Sequence, residues 1–265
     1  MNKTVLFVGA IALIVIIGFV GLKTFGQKNS VDTQNSSQNS EDSQTSTEGS
    51  NNLFQNPKKS AHYESNTPAH ASTLAGVPVN VVIDFNFDVA KGSSISITNN
   101  GKEYGAGETV IDANPLAMRR NMDTSAPDGV YMVSYKACWA DGSCHDGNFQ
   151  FAIDRGKAAG FVDMRNKKEV TVSLKNTAFN SQSLRVSSGT KVTWVNEDDV
   201  VHTVNTDSHP AHTYYTNQNS RNLNKGDTYS VTFDGPGMYL YHCTPHAGFM
   251  TGSILVEKRG GGFCD

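Results

Sequence analysis

Beyond about residue 60, apolar and polar positions alternate with a period of two. In "VPVNVVIDFNFDV" the apolar side chains recur at Val79, Val81, Ile83, Phe85 and Phe87, the pattern of a strand with one face buried. "SSISITNNGKEY" reads as strand, Asn-Gly turn, strand, and Val130 to Ile153 as a hairpin folding back across the Asp-Gly of "CWADGSC". Further on, "EVTVSL", "SLRVSSGTKVTWVNE", "DTYSVTF", "GMYLYHC" and "TGSILVEK" are short strands set apart by Asn-Thr, Ser-Gly and Asp-Gly-Pro-Gly turn signals. No stretch here sustains a 3.6-residue period. The pattern predicts an all-β protein with two domains in series, at residues 61–155 and 165–258, each a β-sandwich or barrel. A short flexible tail at 259–265 follows.

The first 60 residues break the alternation twice. Val5 to Leu22 is apolar and uncharged, with Lys3 before it and Lys23 and Lys28 after. A helix of that length spans roughly 27 Å, close to the thickness of a bilayer's hydrocarbon core. Residues 1–26 therefore read as an N-terminal transmembrane signal-anchor; a cleaved signal peptide competes, although "GLKTFGQK" is a poor cleavage site. Residues 27–60 are almost wholly Gln, Asn, Ser, Thr, Asp and Glu, too polar to offset the entropy of ordering, and read as a disordered linker. The expectation is a single-pass cell-membrane protein with its domains on the extracytoplasmic side.

Composition narrows the classes further. The net charge is −3 with no dense Lys/Arg cluster, which gives nucleic-acid binding no footing. An oxidising compartment makes the four cysteines candidates for pairing. Cys138 and Cys144 flank the Asp-Gly turn, so a hairpin there brings them within bridging distance, and a disulfide is expected. Cys264, in the tail, has no assigned partner.

The chemistry concentrates in "YLYHCTPHAGFMTG". Cys243, His246 and Met250 share one short loop between two predicted strands, and His202 stands about forty residues earlier at a strand end. One thiolate, two imidazoles and a thioether are the ligand set of a type 1 (blue) copper centre. Zinc is the rival for Cys and His, but a thioether is a poor zinc ligand. A catalytic Cys-His dyad lacks an orienting third residue in the loop, and a Cys and Met simply buried beneath it is the plain alternative. His242 adjoins Cys243 but alternation points it the other way. His209 and His212 in "TDSHPAHTYY" read as a solvated loop, with adventitious metal binding as the other reading.

The segment from Lys168 to Glu257, with "HTV" and "GDTYSVTFDGPGMYLYHCTPHAGFMTGSILV", resembles the cupredoxin family in its plastocyanin, pseudoazurin and amicyanin branch. That resemblance implies a Greek-key barrel with one type 1 copper per chain held by His202, Cys243, His246 and Met250. It also implies that redox partners dock on the apolar patch of Pro245, Ala247 and Phe249 beside His246. The spacing departs slightly: plastocyanins and pseudoazurins usually carry one residue more between His and Met, and amicyanins one fewer.

The stretch "AHYESNTPAHASTLAGVPVNVVIDFNFDV" followed by "APDGVYMVSYKACWADGSCHDGNFQFAI" resembles the CopC family of exported copper-resistance proteins. The family's Cu(II) site maps onto His62 and Asp141, but Ser143 stands in place of its histidine. His145, two residues on, is the substitute, which leaves a weak second metal site at His62, Asp141 and His145. Met118, Met122 and Met132 read as filler rather than a soft copper patch.

The expected function is that of a membrane-tethered type 1 copper protein carrying single electrons by Cu(I)/Cu(II) cycling. The alternative is an extracytoplasmic copper-binding protein for resistance, storage or delivery to an exported oxidase. An enzymatic copper protein is not expected, because only one complete Cys-His-His-Met set exists.

Overall fold

A computed structural model describes residues 53–259. The anchor expected at 1–26, most of the linker and the part of the tail that holds Cys264 lie outside the described residues. Among the described residues, no helix is long and apolar enough to cross a membrane.

The first domain is built from β1 (Tyr63–Thr67), β2 (Thr73–Leu74), β3 (Asn80–Phe85), β4 (Ser94–Asn99) and β5 (Lys102–Glu103), continuing with β6 (Gly105–Ile111), β7 (Ala117–Met122), β8 (Gly129–Cys138) and β9 (Cys144–Ile153). These strands form two sheets, in the orders β1-β3-β7-β6 and β2-β9-β8-β4-β5. Between them lies a core that includes Val81, Ile83, Ile97, Met118, Tyr131, Phe149 and Phe151. The Asn100-Gly101 turn between β4 and β5 has both central residues at positive φ, 49° and 76°, the geometry that matches the twist of a two-residue hairpin. In the β8–β9 hairpin, Cys138 lies opposite Cys144 and the two form the expected disulfide.

A 3-10 helix (Arg155–Gly160) leads into the second domain: β10 (Val162–Asp163), β11 (Glu169–Leu174), β12 (Ser183–Ser187) and β13 (Thr190–Asn196), followed by β14 (Asn205–Thr206), β15 (Thr228–Phe233), β16 (Gly237–His242) and β17 (Thr251–Glu257). The sheets run β10-β12-β17-β16-β14 and β11-β13-β15. They enclose Val172, Leu174, Leu184, Val186, Trp194, Phe233, Tyr241 and Ile254. Apart from short 3-10 segments, the described chain is all-β.

Three features depart from the pattern expected of the sequence. Leu53 to Ser60 is not free linker: Lys58 exchanges backbone hydrogen bonds with Asn148 at 3.0 and 2.8 Å, and the Ser60 amide donates to the Tyr135 hydroxyl. β3 ends at Phe85, leaving Phe87 52% exposed. β3 is also buried at all six positions rather than on one face, because the second domain covers its outer side. There Val82 and Ala117 pack on Tyr214, a fully buried residue of the loop before β15. The Tyr214 hydroxyl donates to the Met238 carbonyl at 2.5 Å and accepts from the Val79 amide at 3.2 Å. Asn80 Nδ2 donates to the Tyr214 carbonyl, and Arg119 Nη1 to that of Thr213. Gly237, at φ +150°, allows this approach, since a Cβ there would stand 2.6 Å from Val79 Cγ1.

Candidate metal centre

β16 delivers Cys243 at its end, and the chain turns at once into a one-turn 3-10 helix, Thr244–His246, with Pro245 in its first turn. The His246 amide donates to the Cys243 carbonyl at 2.9 Å. That single turn returns the His246 ring to the cysteine: Cys243 Sγ lies 3.4 Å from His246 Nδ1. The loop closes when the Cys243 amide donates to the Met250 carbonyl and the Met250 amide to the His246 carbonyl, both at 2.9 Å. Met250 is buried in the same apolar cluster as Cys243.

His202 arrives from the other sheet. Its backbone pairs with Leu223, and the preceding turn is tied by Asn196, whose side-chain amide donates to the carbonyls of Val200 and Leu223. His202 Nδ1 lies 3.5 Å from Cys243 Sγ. His202 Nε2 bonds the Asp198 carboxylate at 2.9 Å. Backbone amides of Thr177 and Asn176, together with His202, hold that carboxyl down at about 2. Proton on Nε2, lone pair on Nδ1: a carboxylate behind an imidazole fixes the tautomer and ring plane of a metal ligand. Thr203 braces the sulfur from the other side, its amide donating to Cys243 Sγ at 3.4 Å while its hydroxyl accepts from the Thr244 amide. Burial pushes the Cys243 thiol up.

The donor set fits a metal ion. Metal–nitrogen bonds of about 2.0 Å and metal–sulfur bonds of about 2.3 Å, set at 120°, separate N and S by roughly 3.7 Å, close to the 3.4 and 3.5 Å seen here. The donor atoms of His202, Cys243 and His246 all lie within 4.8 Å of one another. A thiolate and two imidazoles with a thioether nearby are the soft, mixed set that suits copper better than zinc. His202 and Cys243 are fully buried, whereas His246 is partly exposed beside Phe249, 65% exposed, at a ring separation of 5.7 Å.

The expected donors of the first domain do not converge. His62, Asp141 and His145 are not among the groups whose ligating atoms lie within mutual reach. The Trp139 ring stands 5.3 Å from the rings of both His62 and His145, His62 Nδ1 pairs with Asn86, and Asp141 accepts from the Ser143 amide and hydroxyl. Met118 and Met122 are core residues.

What the sequence did not assemble is a second imidazole group. His209 and His212, expected as solvated loop, meet His242 with one ring nitrogen of each within 4.8 Å. The available signal was the pair of outward alternations: His242 faces away from Cys243 on β16, and β14 brings the following loop to that face through Asn205 and Thr206. Burial, His242 and His209 push His212 down to about 4.

Comparison with known proteins places these observations. Residues 166–257 match the model "Copper binding proteins, plastocyanin/azurin family", and residues 63–154 match the CopC domain. The chain is 36% identical over 86 residues to amicyanin-alpha of Methylorubrum extorquens, covering 32% of this chain and 70% of that one. It is 32% identical over 90 residues to amicyanin of Paracoccus denitrificans, covering 33% of this chain and 65% of that one. A solved CopC from Methylosinus trichosporium OB3b aligns at 24% identity over 36% of this chain and 94% of that chain, with a TM-score of 0.33. Neither family is enzymatic. Through its C-terminal domain the chain belongs to the plastocyanin/azurin family of copper binding proteins, and that domain follows a segment, residues 63–154, that matches the CopC domain.

Proposed function

We propose that the protein is a single-electron carrier with one type 1 copper held by His202, Cys243, His246 and Met250. The observation that carries this reading is the convergence of two Nδ1 atoms on the sulfur of the fully buried Cys243, at 3.4 and 3.5 Å. When bound there, copper supplies the Cu(I)/Cu(II) couple. The residues supply a pre-set geometry. His202 is locked by Asp198, Cys243 by Thr203, and His246 by the 3-10 turn, so a change of oxidation state meets little rearrangement.

The partly exposed His246 edge and the apolar surface of Pro245, Ala247 and Phe249 favour docking of redox partners at this end of the domain. The apolar stretch at residues 5–22 favours a single membrane span, with both domains on the extracytoplasmic side. In voltammetry, copper-loaded protein on an electrode is expected to give a reversible one-electron wave; an irreversible wave, or none, contradicts the assignment.

The CopC match favours a second reading, in which the chain holds copper for storage or delivery. Rapid loss of the type 1 copper to a chelator at neutral pH supports delivery, and retention supports electron carriage.

A further inference from the structure

We propose that His209, His212 and His242 form a second metal site, a three-imidazole centre for Cu(II) distinct from the Cys243 centre. His242 is 3% exposed, and its Nδ1 lies 2.7 Å from Asp207 Oδ1. A carboxylate only accepts, so Nδ1 carries a proton and Nε2 is the nitrogen turned toward a metal. That Nε2 faces His212 Nε2 at 3.3 Å. Thr244 Oγ1 accepts from Asn205 Nδ2 at 2.8 Å and lies 3.2 Å from His212 Nε2. Two imidazole nitrogens thus face each other at a distance that a single cation can bridge. At metal–nitrogen distances of about 2.0–2.1 Å, nitrogens this far apart subtend roughly 107°, an angle two ligands of one ion can take.

The third ring closes the group. His209 stands 5.5 Å from the His212 ring and 5.3 Å from the His242 ring, centroid to centroid. It is exposed, which leaves an open side for ion entry and a water ligand. Imidazole donors suit borderline divalent ions, and among these Cu(II) binds most tightly. The Asp207–His242 pair is the carboxylate–imidazole arrangement that orients a metal-binding ring.

The geometry is pre-set by the rest of the fold. The Asp207 amide donates to the Leu240 carbonyl, the Tyr214 amide to that of Asp207, and the His212 amide to that of Ser208. Tyr214 and Thr213 are in turn gripped by Val79, Asn80 and Arg119 of the first domain. The first domain thus holds the loop that carries two of the three imidazoles. His242 and Cys243 are consecutive, so one peptide bond joins the two centres.

The test is copper counting on the full chain after loading with Cu(II) and dialysis, with electron paramagnetic resonance of the same samples. Wild-type protein is expected to retain two coppers per chain, one with the broad hyperfine pattern of a nitrogen-ligated Cu(II). His212→Gln and His209→Gln should each retain one and lose that pattern, and Asp207→Asn should weaken the second copper by about 10–100-fold. The exposed His209 variant carries the test if the melting temperature of His212→Gln shows misfolding. A wild type that shows no nitrogen-ligated Cu(II) pattern, or such a copper that persists in both histidine variants, overturns the proposal. Loss of the visible Cys243 colour with the second copper intact would sink the electron-carrier reading and leave this site standing.

Discussion

At the scale of single residues, adjacent letters have opposite fates. Cys243 turns inward to His202 and His246, while His242 turns to Asp207. Met250 lies beneath the loop as the fourth donor of the proposed centre. Replacing it by leucine lowers the number of donors, which costs Cu(II) more than Cu(I), so Met250→Leu is expected to keep copper and raise the potential, read by redox titration; an unchanged potential would remove Met250 from the ligand set. Asp84 makes a different prediction. It is 2% exposed, and burial pushes its carboxyl up from 3.8 to about 6. Between those values the folded state binds more protons than the unfolded, so stability falls as pH rises from about 4 to 6. Asp84→Asn removes that slope and is expected to gain about 2–3 kcal/mol above pH 6, measured by denaturant unfolding across pH.

At the scale of elements, the period-two pattern located the strands because one face of each packs on a sandwich core, as in β13, where Val192 and Trp194 are buried and Lys191 is exposed. It failed at β3 for a physical reason. Val82 and Asp84 look outward within their own domain, and residues far along the chain, Tyr214 with Ala211, Tyr215 and Leu240 on Val82 and Ser208 on Asp84, cover that face. The edge pairing of Lys58 with Asn148 was equally illegible, since it runs through backbone groups that any residue offers. The Cys-His-His-Met set was legible because ligand chemistry is written in residue types. The His209–His212–His242 group was not, because its members meet only across a loop fold. Tyr214→Phe tests the contact between the domains. It removes two buried hydrogen bonds, to the Met238 carbonyl and from the Val79 amide, at a cost of about 1–3 kcal/mol. The expected result is a fall in melting temperature of about 2–10 °C, and no change would show that the tyrosine hydroxyl contributes nothing to the joint.

At the scale of the whole molecule, the described chain joins a domain that matches CopC to a plastocyanin/azurin-family domain through apolar packing and a loop gripped from both sides. The proposed electron centre lies within the second domain alone, in its buried apolar cluster. Removing the Cys138–Cys144 disulfide, which staples the distal β8–β9 hairpin, should cost about 2 kcal/mol of stability and leave the copper spectrum unchanged, as measured on the Cys138→Ala/Cys144→Ala protein. The most direct test of the central claim is the visible absorption of the full chain loaded with Cu(II), beside Cys243→Ala loaded in the same way. A thiolate bound to Cu(II) gives an intense charge-transfer band that imidazole sites cannot produce. The account predicts strong colour in the wild type and none in Cys243→Ala; a colourless loaded wild type, or colour that survives the substitution, would contradict it.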